Sequence, residues 1–231
     1  MIAIGQYNTL RVLRHCQEGL LLGTEKQHVL LPQRYVPEDA NPGDRLKVFV
    51  YTDSEDRPVA TTQEPLATVG EFACLRVVDV NEYGAFLDWG LPKDLFVPFK
   101  QQHQPLRVGD RVVVALCLDA SETKVMASTR LGPFLDYRVG HLRPGQPVDC
   151  LPYAHADQGV LVIVDKRHSG MVFHGPDTHD LRVGRAFTGY IQRVRDDNKL
   201  DIQRKPTGRA GISVDAAAVL AALEQAGGFL P

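Results

Sequence analysis

The sequence predicts an all-β protein of three tandem five-stranded barrels, followed by one short C-terminal helix. Three observations carry that expectation. The chain repeats itself three times. Within each repeat, apolar residues alternate with their neighbours at the period of a half-buried strand. Each repeat packs five short strand-like runs into about 65 residues, a count that favours closure because a closed barrel leaves no unpaired edge.

The repeat is visible in four landmarks taken in chain order. A glycine opens a short apolar run at Gly19-Leu20-Leu21-Leu22, Gly84-Ala85-Phe86-Leu87 and Gly159-Val160-Leu161-Val162. A second apolar run follows at Val29 to Pro32, Leu95 to Pro98 and Gly170 to Phe173. A glycine-led turn then enters a longer strand at Gly43, Gly109 and Gly184. Last comes a polar turn and a closing strand: Asp53 to Thr61, Asp119 to Ser128 and Asp196 to Ile202. Gly19 to Gly84 is 65 residues and Gly43 to Gly109 is 66; Gly84 to Gly159 and Gly109 to Gly184 are both 75. Two landmarks moving together place units at 1–64, 65–132 and 139–206, with a Gly- and Pro-rich linker near Leu131 to Pro144. The strand count fits the oligonucleotide/oligosaccharide-binding barrel.

Residues 213–231 break the pattern. Ser213 or Asp215 can cap a helix that runs to Ala226, and Gly227-Gly228 ends it. Val219, Leu220 and Leu223 form its apolar face.

Composition narrows the setting. Hydrophobic residues make up 44% and charged residues 23%, ordinary for a globular chain. No apolar run approaches a membrane span, and the N-terminus lacks the basic and apolar regions of a signal peptide. Cys16, Cys74, Cys117 and Cys150 form no C-x-x-C pair, so buried free thiols in a reducing cytoplasm are expected. The formal net charge is −2, and by unit it is −2, −1 and +2, with −1 in the tail. Bulk charge therefore does not drive polyanion binding; local patches and stacking would have to.

The second unit holds the most informative segment, Glu82-Tyr83-Gly84-Ala85-Phe86-Leu87-Asp88-Trp89. Tyr83 and Phe86, three apart, would face opposite sides of a regular strand. A bulge at Gly84 would bring them to one surface. Exposed aromatics there would stack on bases, and Lys124 and Arg111 are candidates to hold phosphates. The alternative is that Phe86 and, still more, Trp89 are core side chains.

Gly84-Ala85-Phe86, the apolar-Pro step at Pro98, Val108-Gly109-Asp110, Asp119 and the closing Ala127-Ser128 resemble the S1 RNA-binding domain. The resemblance implies that Tyr83, Phe86, Asp119 and Lys124 contact RNA, Lys124 standing where arginine is usual. Pro98 replaces a histidine of the family, and the last hairpin is one residue longer. Longer motifs are similar to the conserved virulence factor B family: Gly84 to Leu95, Leu31-Pro32-Gln33-Arg34-Tyr35-Val36-Pro37, Asp53 to Arg57, and Gly189 to Arg195. That family has three S1-like domains followed by a winged helix, binds RNA and influences bacterial gene expression and virulence. Ala222 to Pro231 resembles the opening of the winged helix, so residues 213–231 are expected to begin a truncated one.

The other units depart from the pattern. The first has Glu18 and Leu21 at the aromatic positions, which makes it a degenerate scaffold or partner surface; the third has Gln158 and Leu161. The third can contribute charge through Lys166, Arg167, Arg193, Arg195, Lys199, Arg204 and Lys205. His168, His174, Asp177 and His179 match no common zinc spacing, so no metal or other cofactor is expected. No nucleophile or phosphate-loop motif is present, so the chain is read as non-catalytic, with no small-molecule substrate and no membrane partner. The expected function is binding of single-stranded RNA in bacterial gene regulation, with ribosome or transcription machinery as further partners. The rival is a scaffold that docks on a ribosome, polymerase or nuclease.

Overall fold

The computed structural model describes residues 1–175 and 178–206. The expected helix and winged-helix start, and Asp177 of the histidine segment, lie outside the described residues. The fold is all-β, with three closed five-stranded barrels. Barrel 1 comprises β1 (Gln6–Cys16), β2 (Gly19–Gly23), β3 (His28–Pro32), β4 (Arg45–Thr52) and β5 (Pro58–Thr61). Barrel 2 comprises β6 (Phe72–Val80), β7 (Gly84–Asp88), β8 (Leu95–Pro98), β9 (Arg111–Leu118) and β10 (Val125–Ser128). Barrel 3 comprises β11 (Pro147–Ala156), β12 (Gly159–Val164), β13 (His168–Phe173), β14 (Phe187–Val194) and β15 (Leu200–Gln203). In each, the third and fifth strands pair in parallel and every other pairing is antiparallel.

The repeated glycines have a physical reason. A Cβ on Gly19, Gly84 or Gly159 would lie 2.0, 2.3 or 2.1 Å from the carbonyl oxygen of Leu31, Val97 or Val172 on the next strand. Only glycine permits that approach. The second set of glycines serves the barrel's bend. The first strand of each barrel carries an irregularity in its pairing, between Val12 and Arg14, Val77 and Asp79, or Pro152 and Ala154. There the N–H groups of Gly43, Gly109 and Gly184 donate to the carbonyls of Val12, Val77 and Pro152 at 2.8, 2.9 and 2.8 Å. All three glycines have positive φ (102°, 95° and 80°), which a side chain would strain. The common offsets of the two sets follow from this shared geometry.

The bulge is therefore on the first strand, not at Gly84 as the aromatic spacing suggested. A one-residue correction applies to the third closing turn as well. The N–H groups of Asp53, Asp119 and Arg195 donate across their hairpins to Arg57, Lys124 and Lys199, so Arg195, not Asp196, stands in the place of the two acids.

Residues Met1–Phe134 form one compact unit. Its two barrels share a core: Phe49, Tyr51 and Val59 of barrel 1 pack in the same cluster as Leu75, Leu87, Trp89 and Leu95 of barrel 2. The second unit begins at Leu135. There Val139 and Leu142, from the Pro- and Gly-rich segment, join the core of barrel 3 with Val162, Ile191 and Leu200.

All four cysteines are free, but only Cys150 is buried; Cys74 and Cys117 are half-buried and Cys16 is exposed. The expectation of four buried thiols holds only at Cys150; at Cys16 it fails because the last residues of β1, Arg14 to Cys16, are exposed to solvent although still paired with β2. Among the described residues no helix is long and apolar enough to cross a membrane.

Candidate nucleic-acid interface

A cavity of about 550 Å³ lies at one face of barrel 2, within the first compact unit. Its floor is a cross-strand aromatic pair. Phe86 on β7 stands opposite Phe96 on β8, with ring centroids 5.1 Å apart and a 38° tilt. Both rings are half-buried while their neighbours Leu87, Leu95 and Val97 point into the core. Met126 on β10 pairs with Phe96 and extends the apolar floor. This outward face is what strand alternation dictates.

Tyr83 also lines the cavity and is 67% exposed. It is not a strand residue. The Asn81 side-chain oxygen accepts the N–H groups of Tyr83 and Gly84 at 2.8 and 3.2 Å, and this turn presents the ring beside β7. Tyr83 and Phe86 thus reach one surface through a side-chain-capped turn. Phe99, 48% exposed, is tied to the same place by its N–H donating to the Tyr83 carbonyl at 3.2 Å.

Trp89 takes the other course. Only 2% of it is exposed, and its indole N–H donates to the Lys93 carbonyl at 2.6 Å. It is core, and it fixes the turn that carries Lys93 to the cavity wall.

Lys124 reaches the cavity from the β9–β10 hairpin, and Asp119 shapes that hairpin. One Asp119 oxygen accepts the N–H groups of Thr123 and Lys124 at 2.8 and 2.9 Å, and the other accepts the Ser121 hydroxyl. The Ser121 and backbone bonds hold the carboxyl down at about 2. Asp94, on the rim, is pushed up by partial burial and by the charges of Asp88 and Asp79.

Arg111 is not brought to this site. It begins β9, opposite Arg76, at the far end of the strand from the hairpin, roughly 25 Å away along an extended chain. Phe96, Lys93 and Phe99 are the residues that sequence reasoning passed over. Phe96 was legible in the alternation Leu95-Phe96-Val97, where the flanking residues are the buried ones.

The same register in the other barrels puts leucines and methionine on the floor: Leu21 opposite Leu30, and Leu161 opposite Met171. Barrel 3 gathers its cations at one end, because β13 and β15 run parallel with Gly170 beside Leu200. Lys166 and Arg167 occupy the turn before β13; Arg193, Arg195 and Lys199 surround the turn before β15. Several are matched internally. Arg195 lies 3.2 Å from Asp197 and 3.9 Å from Asp201, and Lys199 lies 3.5 Å from Asp197. Phe173, 39% exposed, ends β13 in the place of Pro98.

The histidines of this barrel are dispersed. His168 is buried, with Nδ1 2.6 Å from the Asp136 carbonyl, which makes that nitrogen the donor; His174 and His179 are exposed. Among the described residues no group of three His, Cys, Asp or Glu is placed to hold a metal ion.

Similarities to known proteins agree with the barrel fold. The S1 domain family matches residues 4–63 and 69–130. The chain is 25% identical to the uncharacterized protein YitL of Bacillus subtilis, over 98% of this chain and 78% of that protein. It is 22% identical to conserved virulence factor B of Staphylococcus epidermidis, over 92% of this chain and 74% of that protein, as the longer motifs anticipated. A solved structure, a multidomain protein with nucleic acid binding domains from Streptococcus pneumoniae, shares the fold. Its TM-score is 0.53 at 22% identity, covering 99% of this chain and 83% of that one.

Proposed function

The chain belongs to the S1 domain family, and from that premise we propose that it is a non-catalytic, cytoplasmic RNA-binding protein that takes single strands on barrel 2 and acts in bacterial gene regulation. The observation that carries this reading is the aromatic lining of the cavity, half-buried Phe86 and Phe96 with exposed Tyr83, flanked by Lys93 and Lys124. Bases stack on such rings with little regard to sequence, and the ammonium groups take phosphates. Binding should weaken as salt rises. The cations of barrel 3, Lys166, Arg167, Arg193, Arg195 and Lys199, supply a second set of phosphate contacts.

The test is fluorescence anisotropy of a labelled oligouridylate titrated with the chain at two salt concentrations. Single strands should bind in preference to duplex. Tyr83→Ala with Phe86→Ala should lower affinity roughly tenfold or more, at about 1–3 kcal/mol per stacked base. Unchanged affinity in that double variant would sink the reading.

The rival, a protein-docking scaffold, is favoured by the net charge of −2 and by Glu18, Leu21, Gln158 and Leu161 at the aromatic positions of barrels 1 and 3. It requires a partner whose capture survives nuclease treatment.

A further inference from the structure

The cavity on barrel 2 has a second wall, and barrel 1 supplies it. Tyr51, Thr52, Ser54 and Asp56, at the end of β4 and in the turn before β5, line the same cavity as Phe86 and Phe96. Asp56 is the notable member. It sits in the left-handed region, φ 63°, at the tip of the turn. Its two carboxylate oxygens bridge two ammonium groups of barrel 2: Lys93 at 3.2 Å and Lys124 at 2.6 Å. Lys93 also donates to the Asp53 carbonyl at 2.6 Å, so the same turn anchors it twice. All three charged side chains remain between 33% and 48% exposed, open to exchange with a solution anion.

A carboxylate that bridges two ammonium groups at the mouth of an aromatic cavity stands where a phosphate would stand. We propose that Asp56 holds the phosphate seat of a composite nucleotide pocket. Single-stranded nucleic acid enters by exchanging one backbone phosphate for the Asp56 carboxylate on Lys93 and Lys124, and the adjoining base lies between the barrel 1 turn and Phe86 and Phe96. This inference rests on the nucleic-acid reading of barrel 2. It also gives barrel 1 a task beyond scaffolding, since its turn closes the pocket and sets the threshold for entry. The volume, about 550 Å³, falls within the range of small-molecule sites. Bonds from Lys124 and Lys93 hold the Asp56 carboxyl below its ordinary value, so it is charged at neutral pH and competes with phosphate.

The probe is a labelled oligouridylate, titrated by anisotropy against the full chain. Asp56→Asn removes the competing charge and keeps a residue that tolerates left-handed backbone. It should tighten binding roughly twofold to tenfold, the range two exposed ion pairs account for. It should also steepen the dependence of affinity on salt, since a phosphate then meets lysines with no competing carboxylate. Adding Lys93→Ala and Lys124→Ala should erase the gain. Unchanged or weaker binding by Asp56→Asn, while Tyr83→Ala with Phe86→Ala still costs affinity, would overturn the phosphate seat and leave the nucleic-acid reading standing. Loss of the aromatic effect as well would overturn both.

Discussion

The Trp89 indole lies edge-on to the Phe49 ring, with centroids 5.8 Å apart and an interplanar angle of 75°. The two residues belong to different barrels, and Tyr51 joins them, its ring 6.2 Å from Trp89. The shared cluster makes one cooperative core of what the repeat reads as two units. Trp89 is the chain's single tryptophan, so its emission reports this junction directly. It should be blue-shifted and shielded from acrylamide. Phe49→Ala should cost about 3–5 kcal/mol, red-shift the emission and still leave one unfolding transition for the first two barrels. Hydrogen-exchange peptides of barrels 1 and 2 that open at different urea concentrations in the parent chain would contradict a common core; a separate transition of barrel 3 would not, since that barrel belongs to the second unit.

Gly84 offers a sharper test of the backbone argument. A Cβ there meets the Val97 carbonyl at 2.3 Å, and a backbone atom cannot rotate away as a side chain can. Gly84→Ala should lower stability by about 1–3 kcal/mol, the usual cost of overpacking. Gly140→Ala, where nothing lies within 4 Å of the added atom, is the control and should be close to neutral. Equal urea midpoints for the two variants would remove steric approach as the reason for the glycine repeat.

Those glycines explain why the barrels were legible. Gly19, Gly84 and Gly159 are fixed by contact with the next strand, and Gly43, Gly109 and Gly184 by the bend of the first, so chain spacing carried three-dimensional information. The site was legible only in part. Alternation separates Phe86 from Leu87, and it would have placed Phe96 outward beside Leu95 and Val97. That Arg111 lies apart from the cavity was not legible, because charge says nothing about which end of a strand a residue occupies. The Asp56 bridge was invisible because it joins residues 37 and 68 positions apart, from two repeats that look independent in sequence.

The thiols should separate by exposure. Cys16 is exposed, whereas burial, aided by the nearby charge of Asp165, pushes the Cys150 thiol up to about 12. A thiolate is the reacting species, so Cys150 is protected both by access and by protonation. In timed labelling with a thiol reagent at neutral pH, followed by peptide mass analysis, Cys16 should modify first and Cys150 only after denaturant is added. Early modification of Cys150 in the folded chain would contradict its place in the barrel 3 core.

Asp119 predicts how the β9–β10 hairpin behaves in acid. Its carboxyl is held at about 2, against an ordinary 3.8, by the Ser121 hydroxyl and then by the backbone N–H groups of Lys124 and Thr123. The folded value is the lower one, so the unfolded chain binds the proton more readily. The stabilisation is therefore complete above the ordinary value and disappears as pH falls from about 4 to about 2. Asp119→Asn removes the charge and with it this dependence. Urea midpoints of the parent and the variant should differ most near neutral pH and converge at the acid end of that window. Because Asp119 accepts the Lys124 N–H, the same variant should loosen the hairpin and blur the position of the Lys124 ammonium, lowering oligouridylate affinity at neutral pH without loss of the barrel's circular dichroism. A midpoint difference that stays constant from neutral to acid pH would show that the carboxylate does not hold the turn, and leave the Lys124 ammonium oriented by Asp56 alone.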